Sequence, residues 1–279
     1  MNNNTSRMWT LLATLLAVAA SGPVPAKGGL VALPGDFDNT SNDINNPWWP
    51  LEPGSTLVYI EEADDECIVG VVEIGTTGNQ FEDTIDNVAV REVWDREFID
   101  NVGDCDADLA DIGSWELLET TYDWYAQDMD GTIWYFGEFT VAFDHDECEH
   151  TIDATEGPFF EDGCLDGSWQ AGYDVWEEVA HADILPGIIM LTNPQKGQFY
   201  FQEFWEDEAT DMGKILNFKD IDTFVYGEVA DCVKIKEWVP LDPGNVEHKY
   251  YCEDLGLVLV EGNAGGKTVY TDLVEVIDL

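Results

Sequence analysis

The sequence predicts an all-β protein: one antiparallel, strongly curved sheet or open barrel of about ten to twelve strands. Three observations carry this expectation. From Trp48 onward, short alternating apolar and polar segments are separated by Gly, Pro, Asn and Asp. No window keeps a 3.6-residue apolar period over three turns. Two segment pairs can also be written as hairpins in a definite register.

The chain opens with an export-signal pattern. Arg7 supplies the positive start, residues 8–20 a short apolar run, and Val24-Pro25-Ala26 a small residue at the cleavage point, leaving Lys27 as the mature start. The run falls short of the roughly 20 residues a spanning helix needs, and no later segment qualifies as a transmembrane helix. Residues 27–46, rich in Gly, Asp, Asn and Ser, read as a flexible acidic leader. Residues 47–279 read as a single β domain. Strands are expected near 55–62, 67–74, 87–98, 115–127, 132–143, 147–154, 198–206, 212–218, 231–239, 246–252, 255–261 and 267–277. The stretch 182–197, with Leu185-Pro186-Gly187 and Asn193-Pro194, reads as a crossing loop.

In the first hairpin, Asp130-Gly131 is a strong turn signal between Tyr122–Asp128 and Thr132–Phe139. As a two-residue loop it places Asp123 opposite Glu138, with Tyr125, Trp134 and Phe136 on the same face. A three-residue loop with a bulge would slip this pairing by one. In the second hairpin, Cys232 placed opposite Cys252 brings Glu237 to face Glu247. Like charges directly opposed across strands are unfavourable, so the two acid pairs are the sharpest chemical features of the chain.

All six cysteines lie beyond the signal and none is spaced C-x-x-C, which favours structural disulfides in an oxidising compartment. The second hairpin pairs Cys232 with Cys252. A turn at Glu156-Gly157-Pro158 pairs Cys148 with Cys164, leaving Cys67 with Cys105.

The charge is extreme. Eleven Lys and Arg face 58 Asp and Glu, a formal −47. Between Arg96 and Lys196, 99 residues pass without a base while 25 acids accumulate. Such an imbalance describes high salt, divalent cations or a cationic partner. It excludes nucleic acid, whose binding rests on basic neutralisation of phosphates.

Several blocks resemble an uncharacterised family of exported bacterial proteins. They are Asn45-Asn46-Pro47-Trp48-Trp49-Pro50-Leu51, Asp123-Trp124-Tyr125-Ala126-Gln127-Asp128 with Asp130-Gly131, Trp134-Tyr135-Phe136-Gly137-Glu138, and Glu247-His248-Lys249-Tyr250-Tyr251. Gly167-Ser168-Trp169-Gln170-Ala171-Gly172 and Leu185-Pro186-Gly187-Ile188 extend the likeness over nearly all of the mature chain. It implies export without implying an activity. The sequence departs from the family in its cysteines, its acidity, and insertions around 104–111 and 144–163.

Candidate chemistry rests on carboxylates. Asp123/Glu138 and Glu237/Glu247 are the candidate catalytic or cation-binding pairs, with His248 beside them and Tyr125, Trp134 and Phe136 as a platform for a sugar. Two carboxylates suit glycoside chemistry; aromatic faces in β proteins also serve simply as core. Asp104-Cys105-Asp106-Ala107-Asp108 begins like a calcium loop, but Leu109 and Trp115 stand where an EF-hand needs Gly and Glu. A solvated acidic insertion is the plainer reading. Asp144-His145-Asp146-Glu147-Cys148-Glu149-His150 and Asp36–Asp43 are weaker metal candidates. The four serines of the mature chain lie outside any G-x-S-x-G. The expected function is an exported binding or cell-envelope module, cation-stabilised, with calcium as the cofactor to test. A small ligand, a polysaccharide or cations are its expected partners. The alternative is a secreted carbohydrate-active enzyme.

Overall fold

A computed structural model describes residues 36–278 except 64–65, 76–83, 101–104, 106–107, 144–147, 149, 153–162, 166, 206–209, 241–243 and 265. The export signal, Asp104, Asp106 and most of the 144–150 cluster therefore lie outside the described residues. The strands are β1 (Thr56–Ala63), β2 (Glu66–Ile74), β3 (Thr84–Ile85), β4 (Val88–Ala89), β5 (Arg91–Ile99), β6 (Glu116–Gln127), β7 (Ile133–Ala142), β8 (Thr151–Ile152), β9 (Gly163–Cys164) and β10 (Trp169–Gln170). They continue as β11 (Tyr173–Asp174), β12 (Val179–Ala180), β13 (Leu185–Met190), β14 (Phe199–Phe201), β15 (Glu203–Phe204), β16 (Met212–Thr223), β17 (Gly227–Trp238), β18 (Val246–Cys252), β19 (Gly256–Ala264) and β20 (Lys267–Ile277). Among the described residues no helix is long and apolar enough to cross a membrane.

Among the described residues eighteen strands join one antiparallel sheet and β3–β4 form a separate pair, against the ten to twelve expected. Apart from β13, the surplus consists of strands of two or three residues, too short to leave a periodic signal. The pairing path runs β16–β17–β18–β19–β20–β1–β2–β5–β6–β7–β13. At one end β13 pairs with β15, and at the other β14 pairs with β16. Only Gln202 separates β14 from β15, yet the ladder breaks there, so the sheet is not a closed barrel. Side chains from distant strands still meet: Trp49 packs on Tyr125 of β6 and Tyr251 of β18 at ring separations of 4.9 and 6.0 Å.

Three local expectations change. Residues 185–190 form β13 against β7 rather than a loop. Pro186 and Gly187 there reflect close packing, since a Cβ on Gly187 would lie 2.0 Å from the Gln202 carbonyl oxygen. Of the strand expected over 147–154, Thr151–Ile152 is strand, Cys148 and His150 are not, and 147, 149, 153 and 154 lie outside the described residues. Residues 36–46 are no free leader: Gln127 N donates to the Ser41 carbonyl (2.7 Å), Met129 N to that of Asp36 (2.9 Å), and Arg91 Nε to that of Asn42 (3.0 Å). Ile44 and Asn46 are buried there, because the segment supplies partners that the edge of the β6–β7 hairpin lacks. The three disulfides, Cys67–Cys105, Cys148–Cys164 and Cys232–Cys252, pair as expected.

Candidate functional site

The first acid pair comes together through two compensating shifts. The turn is a three-residue loop, closed by Asp128 N donating to the Thr132 carbonyl at 2.9 Å. Register therefore slips by one near the turn, placing Tyr125 opposite Tyr135 and Gln127 opposite Ile133. A bulge at Phe136 then takes up one residue and restores Asp123 opposite Glu138. Gly137 permits it: its φ is 136°, and a Cβ would lie 2.3 Å from the Trp169 carbonyl oxygen.

The slip changes which aromatics face the acids. Tyr135 stacks on Tyr125 with ring centroids 4.9 Å apart, and its hydroxyl donates to Asp123 Oδ1 at 2.5 Å. Trp134 and Phe136, expected on this face, lie on the other. There the Trp134 indole N–H donates to Asp128 Oδ2 at 2.8 Å, and Phe37 packs edge-on against both rings. Phe136 and Phe37 line a groove of about 450 Å³ with Val88, Ile184 and Pro186. That groove is separate from the acid pair.

Around Asp123 and Glu138, strand alternation gathers further acids that pairwise reading of hairpins had missed. Asp95 and Glu97 of β5, Glu119 of β6 and Glu203 of β15 are all buried. Asp123 is 0% and Asp95 1% exposed. Among the described residues neither Asp95 oxygen has a hydrogen-bond partner, nor does Asp123 Oδ2. Burial, reinforced by Asp123, raises the Asp95 carboxyl well above its ordinary range, and burial with Glu203 and Asp123 does the same to Glu138. Burial lifts Asp123 to about 7 against the Tyr135 hydrogen bond. It lifts Glu203 to about 8, although the nearby Trp169 indole pulls the other way without completing hydrogen-bond geometry. The cause is the same throughout, because a carboxylate removed from water favours its neutral form.

Hydroxyls connect the cluster and fix how many protons it needs. Thr121 Oγ1 lies 3.0 Å from Glu119 Oε1 and 3.2 Å from Thr140 Oγ1, which lies 3.0 Å from Glu138 Oε2. These three contacts need three protons, and two hydroxyls supply two. The third comes from a carboxyl group at one end, so Glu119 and Glu138 share one proton whenever the whole chain of contacts is satisfied.

The second pair solves its charge differently. Lys249 Nζ lies 2.9 Å from Glu237 Oε2 and 3.8 Å from Glu247 Oε2, inside the sheet. Burial acts to lower the lysine, but the two glutamates hold it above its ordinary value. Glu247 is raised to about 7 by burial, with Lys249 opposing. His248 points to the other face, opposite Lys236 and Glu261, and burial lowers it. It joins neither pair.

Of the expected calcium ligands, Asp108 caps the 3₁₀ turn Leu109–Ser114, accepting from Ala110 N at 3.0 Å. Asp38 in the 36–43 candidate accepts from the Thr40 amide and hydroxyl at 2.7 and 2.6 Å. Among the described residues no three His, Cys, Asp or Glu side chains are grouped to hold a metal ion.

Comparison with known proteins assigns neither a family nor an activity. No family model matches the chain, and no curated protein matches it. Two solved structures align over most of its length. One is a proposed exported protein with a YmcC-like fold from Bacteroides fragilis, at 12% identity, covering 82% of this chain and 98% of its own, with a TM-score of 0.36. The other is a proposed lipoprotein from Parabacteroides distasonis, at 12% identity, covering 83% and 99%, with a TM-score of 0.35. Likeness at that level carries no argument about this chain.

Proposed function

We propose that this chain is an exported, non-catalytic binding or cell-envelope module whose acidic fold is stabilised by cations. The observation that carries the reading is the closure of the acid pair: Asp123 is 0% and Glu138 2% exposed. A glycosidase pair must touch both sugar and water. Export is supported by the N-terminal pattern and by three disulfides. With no built metal group among the described residues, the stabilising cations act by screening a net charge of −47.

The alternative, a secreted carbohydrate-active enzyme, draws on Asp123 near 7 and Glu203 near 8, the range of a general acid. Incubation with a panel of polysaccharides, followed by reducing-end assay, separates the two. No release is the expected result. Release that disappears in Asp123→Asn would replace the binding reading with the enzymatic one.

A further inference from the structure

The chain has 11 lysines and arginines, and four of them, Lys214, Lys219, Lys234 and Lys236, fall on β16 and β17. Lys214 stands directly opposite Lys236, which stands opposite His248. Opposed like charges cost stability, and a chain this poor in bases has no fold-level need to set two face to face. We propose that the outer face of β16–β18 binds a linear anionic polysaccharide. This deepens the binding reading by naming a ligand class.

The geometry of the stripe points to the ligand. Phe199, Lys214, Lys236, His248, Glu261 and Tyr270 follow one another as direct cross-strand partners over β14 and β16–β20. At about 4.8 Å per strand the row spans roughly 24 Å, a spacing close to the length of one sugar residue. Its single acid, Glu261, is compensated within the sheet: the Tyr250 hydroxyl donates to it at 2.6 Å and Lys234 Nζ lies 3.0 Å away. Lys236 rests 5.1 Å over the Trp238 ring and Lys219 5.6 Å over that of Tyr250. These ammonium groups are thus held in place before any ligand arrives. Lys214 is exposed, and Tyr270, 51% exposed at the end of the row, offers a ring face to a sugar.

Charge selects a thin chain over a broad surface. A flat anionic membrane would approach the acidic flanks of a −47 molecule together with the stripe. A single polysaccharide strand follows the row, while the exposed acids of the same two strands, Asp220, Asp222, Glu228 and Asp231, lie five or more residues along the chain from Lys214 and Lys236, roughly 16 Å or more against a screening length of about 8 Å at physiological salt. Carboxylate and sulfate present the same anionic contact, so the test includes both.

Binding of the mature protein to polygalacturonate, dextran sulfate, unmodified dextran and phosphatidylglycerol vesicles is measured at low and high salt. Expected is salt-sensitive binding to at least one charged polymer and none to dextran. Lys214→Gln with Lys236→Gln should weaken it on the order of tenfold or more, while Lys267→Gln, off the stripe, leaves it unchanged. The double variant should melt no lower than the parent, which separates lost contact from lost fold. Absence of binding to either charged polymer, undiminished binding by the double variant, or capture by vesicles alone would each overturn the proposal. None of these results bears on the polysaccharide-hydrolysis assay, so the two readings fail separately.

Discussion

Tyr135 donates its hydroxyl proton to Asp123 at 2.5 Å while its ring stacks on Tyr125, 4.9 Å away. The three-residue loop at 129–131 places it there. The bond serves one Asp123 oxygen and leaves the other buried with no partner among the described residues, so the interior is arranged around carboxyl groups that are better protonated than ionised. The consequences are measurable.

Stability should fall as pH rises. Asp123 and Glu247 are raised to about 7 and Glu203 to about 8, while Asp95, Glu97, Glu138 and Asp211 are also raised. An unfolded carboxyl releases its proton near pH 4, so between pH 4 and 7 to 8 the folded state holds more protons. Their stabilisation is complete below pH 4 and declines through that window. For Asp123 alone, moving from 3.8 to about 7, the change is on the order of 4 kcal/mol. Melting at pH 5 should exceed melting at pH 8.5 by several degrees, and a flat profile would contradict the assignment.

Asp123→Asn should reverse the order of stabilities at high pH. Its amide oxygen can keep the Tyr135 bond, and it has no proton to lose. The variant should melt above the parent at pH 8.5 and close to it at pH 5. Glu138→Gln should behave alike, because an amide N–H supplies the third proton to the Thr140–Thr121 contacts. Tyr135→Phe should cost about 1–3 kcal/mol at pH 5, by leaving Asp123 Oδ1 without its donor.

Gly137→Ala tests the bulge. Both the positive φ and the 2.3 Å approach to the Trp169 carbonyl oxygen oppose a side chain there. Denaturant unfolding should show a loss of about 1–3 kcal/mol or more. A neutral result would mean that β7 reaches its register another way.

Replacing Cys232 and Cys252 together by serine removes a link between residues separated by 20 positions. The expected loss is about 3 kcal/mol, from restored freedom of the unfolded chain. Peptide mapping without reduction should recover Cys232 joined to Cys252, and any other partner would break the hairpin register.

Melting temperature should climb as salt rises from about 0.01 M to 1 M, while the screening length shrinks from roughly 30 Å to 3 Å. Calcium at equal ionic strength should match sodium if cations act only by screening. A clear calcium advantage would place a specific site outside the carboxylates described.

What the sequence alone determined was local. Alternation and turn residues specified the long strands, the Cys232–Cys252 hairpin and its Glu237/Glu247 pair, because a hairpin register depends only on loop length and side-chain period. The tertiary structure decided the rest. Trp134 and Phe136 lie on the face away from Asp123 because the loop takes three residues, and Glu138 regains its place opposite Asp123 only through a bulge that depends on Gly137 meeting Trp169, more than thirty positions away in the chain. Residues 36–46 pack because the edge of β6–β7 offers unpaired backbone groups, which composition does not encode. The gathering of Asp95, Glu119, Asp123, Glu138 and Glu203 required strands distant in sequence to turn their faces to one interior. Burial alone then distinguishes these carboxyls from the many that remain in water, since the energy of a charge depends on its surroundings, and only the assembled fold supplies them.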